Sequence, residues 1–310
     1  MAPLAQTLAL LAMAMATTAV DVIPLDMAPD SFDDQYRGCG PAMKAALLTL
    51  SWSEFQQNKE FAEVWGKAMA TWQSRGPPES PLSPDQATAI MAFSMTDLRT
   101  FNDAVRVVGR SRQAYRDNFH FKALHFLLTD ALATLRDAQN GQCRHVYRGV
   151  HDVRFQARRG QKVRFGQFTS TSLSKEVAQK YGTDTIFEVQ TCHGVDIQAF
   201  SFYLSNREVL IPPYETFEVT KVTQNGKRAW ITLRSSGTYS KYNCALLWEH
   251  PHGHLSLQRM PPGQHSLGSG HQDPLNHETT KATEFTAVTV GTMANMIIKT
   301  PSATSVPPNS

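Results

Sequence analysis

The chain has 310 residues, of which 41% are hydrophobic and 18% are charged, and its formal net charge is +3. This length fits one compact domain of about 200–250 residues with appendages, because a single hydrophobic core rarely grows beyond roughly 250–300 residues. A net charge this small excludes a broad positive footprint for nucleic acid or for a membrane surface. The five basic residues between Arg154 and Phe165 are typical of a solvated hairpin, so no nucleic-acid partner is expected.

Residues 1–19 are apolar, contain no acidic residue and end in small residues, which is typical of a secretory signal peptide. A membrane-spanning helix is the alternative, but the apolar run from Leu8 to Ala16 is shorter than the about 20 residues that a span needs. We therefore expect a protein that is secreted or faces the outside of the cell, without a stable membrane span.

Four cysteines follow, an even number in a chain expected in an oxidising compartment: Cys39, Cys143, Cys192 and Cys244. Two disulfides are predicted, although the sequence alone allows three pairings. No two of these cysteines have the short spacing of a zinc-binding motif, so no metal site is expected.

The first half of the chain is predicted to be helical. Apolar residues recur at helical spacing over residues 41–75, which predicts two helices. A further helix is expected to begin at Ser83, after a proline-rich connection. The clearest helical pattern covers Phe119–Gly141, where one apolar stripe ends at an Asn-Gly pair.

From Cys143 onward, short β-branched and aromatic segments alternate with turns such as Gln224-Asn225-Gly226, which predicts strands. The segment "SKEVAQKYG" is the one helical interruption. Helices followed by strands indicate an α+β fold with segregated layers.

Residues 249–310 are rich in Gly, Pro, His and Ser, which is typical of a flexible tail. The mildly apolar segment Phe285–Ile298 has the outline of a lipid-anchor signal. Lys299 and the polar residues after it argue against an anchor, so the tail is the preferred interpretation.

Three patterns in the strand-rich half could carry chemistry. Arg148, in "VYRGV", could grip phosphate oxygens through two parallel hydrogen bonds, or could be a solvated strand-edge charge. Ser170-Thr171-Ser172 places two hydroxyls on one strand face, with no His-Asp arrangement that indicates a nucleophile triad. Glu208, before "VLIPP", could stabilise an oxocarbenium-like transition state or could face solvent.

Together, Arg148, Ser170 and Glu208 resemble the R–S–E signature of the mono-ADP-ribosyltransferases, above all the vertebrate ecto-enzymes that transfer ADP-ribose from NAD to arginine. The resemblance covers roughly Val20 to Trp248, so a catalytic domain is expected over residues 20–248. Six segments match that family's blocks in order: "SFDDQYRGC", "FHFKALHFLLTDAL", "VYRGV", "VRFGQFTSTSL", "EVLIPPYETFEV" and "YNC".

The resemblance implies a helical N-terminal lobe packed on a β-sandwich, with NAD as co-substrate in the cleft and no metal. Arg148 would bind the NAD phosphates, Ser170 would position the nicotinamide ribose, and Glu208 would be the catalytic carboxylate. Arginine-containing extracellular or secretory-pathway proteins would be the acceptors of a monomeric enzyme. Four further residues would line the NAD pocket: Phe93, Gly166, Gln167 and Ser201.

The resemblance also implies the disulfide pairing. Cys39 would pair with Cys244, which would join the start of the helical region to the end of the strands. Cys143 would pair with Cys192. The first bond closes so long a loop that it could contribute about 3–5 kcal/mol.

The chain departs from the family at Asn206. Arginine-specific members resemble one another in a Glu-x-Glu pair, and here the pair is Asn206-Arg207-Glu208. The amide of Asn206 can accept a hydrogen bond from the guanidinium of the acceptor, but it supplies no charge. The loss of a charged hydrogen bond costs about 1.5–3 kcal/mol, which corresponds to roughly a ten- to hundredfold lower rate of transfer to arginine. We therefore expect NAD cleavage to persist and transfer to water to gain over transfer to arginine. The alternative is a catalytically silent binding protein on the same fold.

Overall fold

The structure is a computed structural model that describes residues 20–76, 79–95, 99–226 and 228–247. The expected signal peptide over residues 1–19, the tail over residues 249–310 and its lipid-anchor alternative lie outside these residues. No helix in the described part of the chain is long and apolar enough to cross a membrane.

The first half of the domain is helical. The two helices predicted over residues 41–75 are present, and Ser83 caps the next helix in a capping box with Gln86. Two shorter helices were not predicted, although Phe101, Val105 and Val108 are buried at helical spacing on the first of them. The helices are α1 (Gly40–Gln57), α2 (Lys59–Ser74), α3 (Pro84–Ser94), α4 (Arg99–Val108), α5 (Arg112–Asn118) and α6 (Lys122–Ala138).

The second half is a mixed sheet, which confirms the α+β class. Its eight strands lie in the order β4-β9-β10-β6-β2-β5-β8-β7, and β1 pairs in parallel with β3 in a small separate sheet. The elements are β1 (Asp21–Pro24), β2 (Arg144–Val150), β3 (Val153–Gln156), β4 (Lys162–Val163), β5 (Thr169–Ser172), α7 (Lys175–Gln179), β6 (Thr185–Thr191), β7 (Val195–Asp196), a 3-10 turn (Leu204–Asn206), β8 (Glu208–Ile211), β9 (Glu215–Asn225) and β10 (Arg228–Thr238).

The expected hairpin between Arg154 and Phe165 is wrong. Strand β3 pairs with β1, whereas β4 pairs with β9, so the two strands do not form a hairpin with each other. Arg164 is buried and contacts the carboxylate of Asp33 at 2.5 Å. A charge pattern could not reveal this, because the partner lies 131 residues away in the chain.

Two hydrophobic cores meet at β8. The larger core joins the helices to one face of the sheet, and the smaller core lies among the strands. Leu210 belongs to the larger core, whereas Val209 and Ile211 belong to the smaller one. Because side chains alternate along a strand, Glu208 shares the face of Leu210 and points toward the helical half. This alternation places a carboxylate where the helices and the sheet meet.

The ends of the domain are tied together by a group that we call the terminal clasp, residues 33–39 and 241–245. The carboxylate of Asp34 accepts hydrogen bonds from the backbone N–H groups of Tyr36, Cys244 and Ala245. Cys39 and Cys244 form a disulfide, and Cys143 pairs with Cys192, which is the pairing that the resemblance implied. The clasp therefore combines a covalent bond with buried hydrogen bonds.

Replacing Asp34 with alanine removes all three acceptor contacts and leaves buried N–H groups without partners, so we expect a loss of about 3 kcal/mol or more in unfolding free energy. Urea denaturation would measure it. Asp26→Ala is the matched control, because the exposed Asp26 accepts one local hydrogen bond from Ala28. Equal effects of the two substitutions would contradict the role assigned to Asp34.

His125 is a fully buried histidine of α6. Its Nδ1 lies 2.9 Å from the hydroxyl of Tyr36, and its Nε2 lies 3.2 Å from the carbonyl oxygen of Phe32. Since a carbonyl only accepts, Nε2 carries the proton and Nδ1 accepts from Tyr36. Burial lowers the pKa of His125 to about 3, so the imidazole stays neutral in the folded protein.

This neutral imidazole makes stability depend on pH. In the unfolded chain, His125 takes up a proton below its ordinary pKa of about 6.5, whereas in the folded protein it does not. The stabilisation by the neutral imidazole is therefore complete above about pH 6.5 and is lost as the pH falls toward 3. We expect the difference in unfolding free energy between the wild type and His125→Gln to fall by about 1.4 kcal/mol per pH unit below about pH 6. Urea denaturation of both proteins over this range measures it.

Burial raises the pKa of Glu54 to about 7, so this group makes the folded protein more stable as the pH falls. Both the wild type and His125→Gln contain Glu54, so its contribution cancels in the difference between their unfolding free energies. A difference that stays constant from about pH 5 to about pH 8 would contradict the neutral, buried state of His125.

Candidate active site

A cavity of about 720 Å³ opens between the helical half and the sheet, a volume within the usual range for a small-molecule site. Its walls come from the ends of α3 and α4, from β2 and β5, from α7 and from the segment before β8. The structure brings three of the predicted residues together in this wall: Arg148, Ser170 and Glu208.

Arg148 lies in the middle of β2 and faces β5. Within the described sheet, β2 and β5 pair at one position, Tyr147 with Ser172. Next to this pair, the side chain of Arg148 connects the two strands, because its guanidinium donates a hydrogen bond to the carbonyl oxygen of Ser170 at 2.7 Å. Burial lowers the pKa of Arg148, and the charge of Glu208 opposes that shift. The guanidinium is thus fixed by the sheet and faces the cavity.

Glu208 begins β8 and is buried. Its Oε2 accepts a hydrogen bond from the hydroxyl of Ser201 at 2.7 Å. Burial raises the pKa of Glu208, whereas the hydroxyls of Ser170 and Ser201 and the charge of Arg148 lower it. The site therefore contains a desolvated carboxyl group whose polar neighbours oppose the rise in its pKa.

Ser201 is held in place from the helical side. Arg75, which follows α2, donates to the carbonyl oxygens of Ser201 and Phe202 at 2.7 and 2.8 Å. The hydroxyl oxygen of Ser94 accepts from the backbone N–H of Phe202 at 2.7 Å. The ring of Phe200 stacks on Trp72. The helical lobe thus positions a hydroxyl behind the carboxylate of the sheet.

The other predicted pocket residues fall into two groups. Phe93 lines the cavity, and Ser201 lies directly behind Glu208. Gly166 and Gln167 do not line the cavity. The backbone of Gly166 has a φ of +65°, and its carbonyl accepts from Ser31, while the side chain of Gln167 accepts from Arg106. A role of these two residues in binding NAD stays a prediction.

Asn206 lines the same cavity as Glu208. It ends the 3-10 turn, and Arg207 after it adopts a left-handed conformation with a φ of 47°. The side-chain Nδ2 of Asn206 donates to the hydroxyl of Tyr181 at 2.8 Å. Arg207 is exposed and does not line the cavity, so its charge lies outside the described wall.

Sequence reasoning missed several wall residues, including Asn102, Tyr147 and Tyr181. Asn102 lies on α4, one of the helices that were not predicted. Its Nδ2 donates to the carbonyl of Phe168 at 2.9 Å, and its Oδ1 has no partner among the described residues. That oxygen is buried. Recognition of the apolar spacing on α4 could have drawn attention to this residue.

One group of described side chains could hold a metal ion: His151, Asp152 and Asp184, at the cavity rim. The two ring nitrogens of His151 lie 3.4 and 3.2 Å from the carboxylates of Asp152 and Asp184. His151 and Asp152 are largely exposed. Exposed acidic groups of this kind are common on proteins without a bound ion.

Comparison with known proteins agrees with this geometry. The family model for NAD:arginine ADP-ribosyltransferase matches residues 25–241. NAD(P)(+)–arginine ADP-ribosyltransferase 2 of Gallus gallus is 50% identical over 248 residues, covering 76% of this chain and 79% of that protein. GPI-linked NAD(P)(+)–arginine ADP-ribosyltransferase 1 of Homo sapiens is 44% identical over 241 residues, covering 72% of this chain and 74% of that protein.

Among solved structures, the eukaryotic mono-ADP-ribosyltransferase ART2.2 is 38% identical with a TM-score of 0.62, covering 72% of this chain and 98% of that chain. A variant of ART2.2 in complex with NAD has a TM-score of 0.63 at the same identity and coverage. The match to the family model over most of the domain, together with these relatives, shows that this chain belongs to the NAD:arginine ADP-ribosyltransferase family.

Proposed function

We propose that the protein cleaves the nicotinamide–ribose bond of NAD and transfers ADP-ribose to arginine side chains of proteins, with an enhanced share of transfer to water. The observation that carries this proposal is the buried carboxylate of Glu208, which shares one cavity with Ser170 and Arg148 and accepts a hydrogen bond from Ser201 behind it. Membership of a family whose relatives are named as arginine transferases supports the reaction class.

The reaction needs few groups from the protein. The bond between the ribose C1′ and the nicotinamide nitrogen breaks, and nicotinamide leaves as a neutral molecule with the bonding electron pair. The positive charge that develops on the ribose is stabilised by Glu208, which also accepts a hydrogen bond from the 2′-hydroxyl. Arg148 binds the phosphates. The acceptor nitrogen, or water, then attacks C1′ and loses a proton.

Asn206 determines the proposed balance between acceptors. An acid at this position would attract and orient a guanidinium through a charge-assisted hydrogen bond, which is about twice as strong as a neutral one. The amide of Asn206 is uncharged and already donates to Tyr181. Cleavage of NAD depends on Glu208 and not on residue 206, so hydrolysis gains relative to transfer.

A silent binding protein on the same fold is the second candidate, and the amide at Asn206 is the feature that favours it. The complete set of Arg148, Ser170 and Glu208 favours an active enzyme, because a protein that only binds NAD does not need a buried carboxylate at the ribose. Nicotinamide release separates the two, whereas NAD binding does not.

We propose that the protein works outside the cell or in the secretory pathway, as a monomer. The two disulfides support an oxidising compartment. The rabbit, mouse and human relatives are named as GPI-linked, which supports a surface location for those proteins. The acceptors would then be arginine-containing extracellular proteins.

The first prediction here concerns Glu208. The purified protein is expected to release nicotinamide from NAD, and Glu208→Gln is expected to reduce the rate by about 100- to 1000-fold, because the neutral amide no longer stabilises the ribose cation. Release is measured by chromatography of the reaction products. No release from the unsubstituted protein would favour the silent binding protein.

The second prediction concerns residue 206. Asn206→Glu is expected to raise the ratio of guanidine adduct to free ADP-ribose about ten- to a hundredfold, because the new carboxylate orients the guanidinium. The assay adds the small guanidine agmatine to NAD and quantifies both products. Ser205→Glu is the matched control, since it adds the same charge one residue away and Ser205 does not line the cavity. An equal increase in both variants would exclude a specific role of position 206.

The third prediction concerns Ser201. Ser201→Ala removes a hydrogen bond to the Glu208 carboxylate, so the pKa of Glu208 should rise further and less of the anion should be present in acid. We expect nicotinamide release to fall more at about pH 5.5 than at about pH 8. The control is Ser51→Ala, since the buried Ser51 of α1 has no hydrogen-bond partner among the described residues. A uniform loss at all pH values would contradict this effect on Glu208.

A further inference from the structure

Tyr181 lies in the cavity wall next to Asn206 and comes from the turn that follows α7. Its hydroxyl accepts the hydrogen bond from the Nδ2 of Asn206, and 58% of the residue surface is exposed. We propose that the ring of Tyr181 binds the acceptor guanidinium by a cation–π contact and takes over the attraction that an acid at position 206 would supply. This inference rests on the proposed transfer to arginine.

Backbone packing fixes the position of the turn that carries Tyr181. Gly149 of β2 lies so close to the end of α7 that a Cβ there would be 2.3 Å from the carbonyl oxygens of Ala178 and Gly182. A Cβ on Gly182 would be 2.2 Å from the backbone nitrogen of His151. The turn that carries Tyr181 is therefore pressed against β2. This packing holds the turn at the cavity, and the hydroxyl of Tyr181 is bonded to Asn206.

The cavity wall offers few carboxylates to a cation that binds there. Among the described residues that line the cavity, Glu208 is the carboxylate, and it lies beside Arg148. Glu208 is also needed at the ribose in the proposed reaction. A guanidinium that approaches Asn206 consequently meets an uncharged amide and the ring of Tyr181. An aromatic face attracts a guanidinium, and arginine stacks on such faces more readily than lysine does.

The orientation of the Asn206 amide completes the arrangement. Nδ2 donates to Tyr181, and the carbonyl oxygen Oδ1 has no hydrogen bond to any residue that the structure describes. Oδ1 can accept a hydrogen bond from a guanidinium that lies on the ring. The acceptor class that fits this pair is a planar cation with several N–H donors, such as the arginine side chain.

The experiment compares Tyr181→Leu, which removes the ring, with Tyr181→Phe, which keeps the ring and removes the hydroxyl. Agmatine is the acceptor, and KM is measured for agmatine and for NAD. We expect Tyr181→Leu to raise the KM for agmatine about tenfold more than it raises the KM for NAD. A tenfold change corresponds to about 1.4 kcal/mol, which lies within the range of energies of cation–π contacts. In Tyr181→Phe the KM for agmatine should stay within about threefold of the wild type, because the ring remains.

A second comparison tests the link to residue 206. In the Asn206→Glu background, Tyr181→Leu should raise the KM for agmatine less than it does in the wild type, because the carboxylate then supplies the attraction. An unchanged KM for agmatine in Tyr181→Leu would overturn the inference. An equal rise in both KM values would also overturn it, because the ring would then serve NAD. No adduct from the unsubstituted protein would overturn the proposed transfer itself, and the role of Tyr181 with it.

Discussion

Strand β8 is buried on both of its faces, and the active-site geometry depends on that constraint. Val209 and Ile211 face the core among the strands, whereas Leu210 faces the core shared with the helices. A shift of the strand by one residue would exchange these faces and would move Glu208 away from the cavity. The hydrophobic pattern of the strand therefore also sets the direction of the acid at its first position. Burial raises the pKa of that acid, and neighbouring hydroxyls and Arg148 oppose the shift.

The two halves of the molecule each contribute part of this environment. The sheet supplies Arg148, Ser170 and Glu208, while the helical half supplies Arg75 and Ser94, which fix the segment that carries the Ser201 hydroxyl. The terminal clasp joins the beginning of the helical half to the end of the sheet through a disulfide and the buried Asp34. The segment that carries Ser201 is bonded both to Glu208 and to the helical half, so the clasp also supports the site.

The wall of the cavity at Asn206 differs from the wall at Glu208. Glu208 is buried and surrounded by polar groups, whereas Asn206 is half-buried and bonded to an exposed tyrosine. In the proposed reaction, the missing charge at position 206 would affect the choice of acceptor more than the breaking of the glycosidic bond. The proposed enzyme would keep NAD cleavage while its acceptor changes, because the two steps would use different walls of the cavity.

The sequence by itself determined the α+β class, the main helices and the order of Arg148, Ser170 and Glu208, because these follow from local periodicity and from matching blocks. It also showed the amide at Asn206. Only the tertiary structure decided that Arg164 is buried against Asp33, that the Ser201 hydroxyl contacts the Glu208 carboxylate, and that Tyr181 bonds to Asn206. Contacts between separate segments leave no periodic pattern in the chain. The hydrogen bond between Tyr181 and Asn206, for example, depends on how the sheet and the turn after α7 pack together.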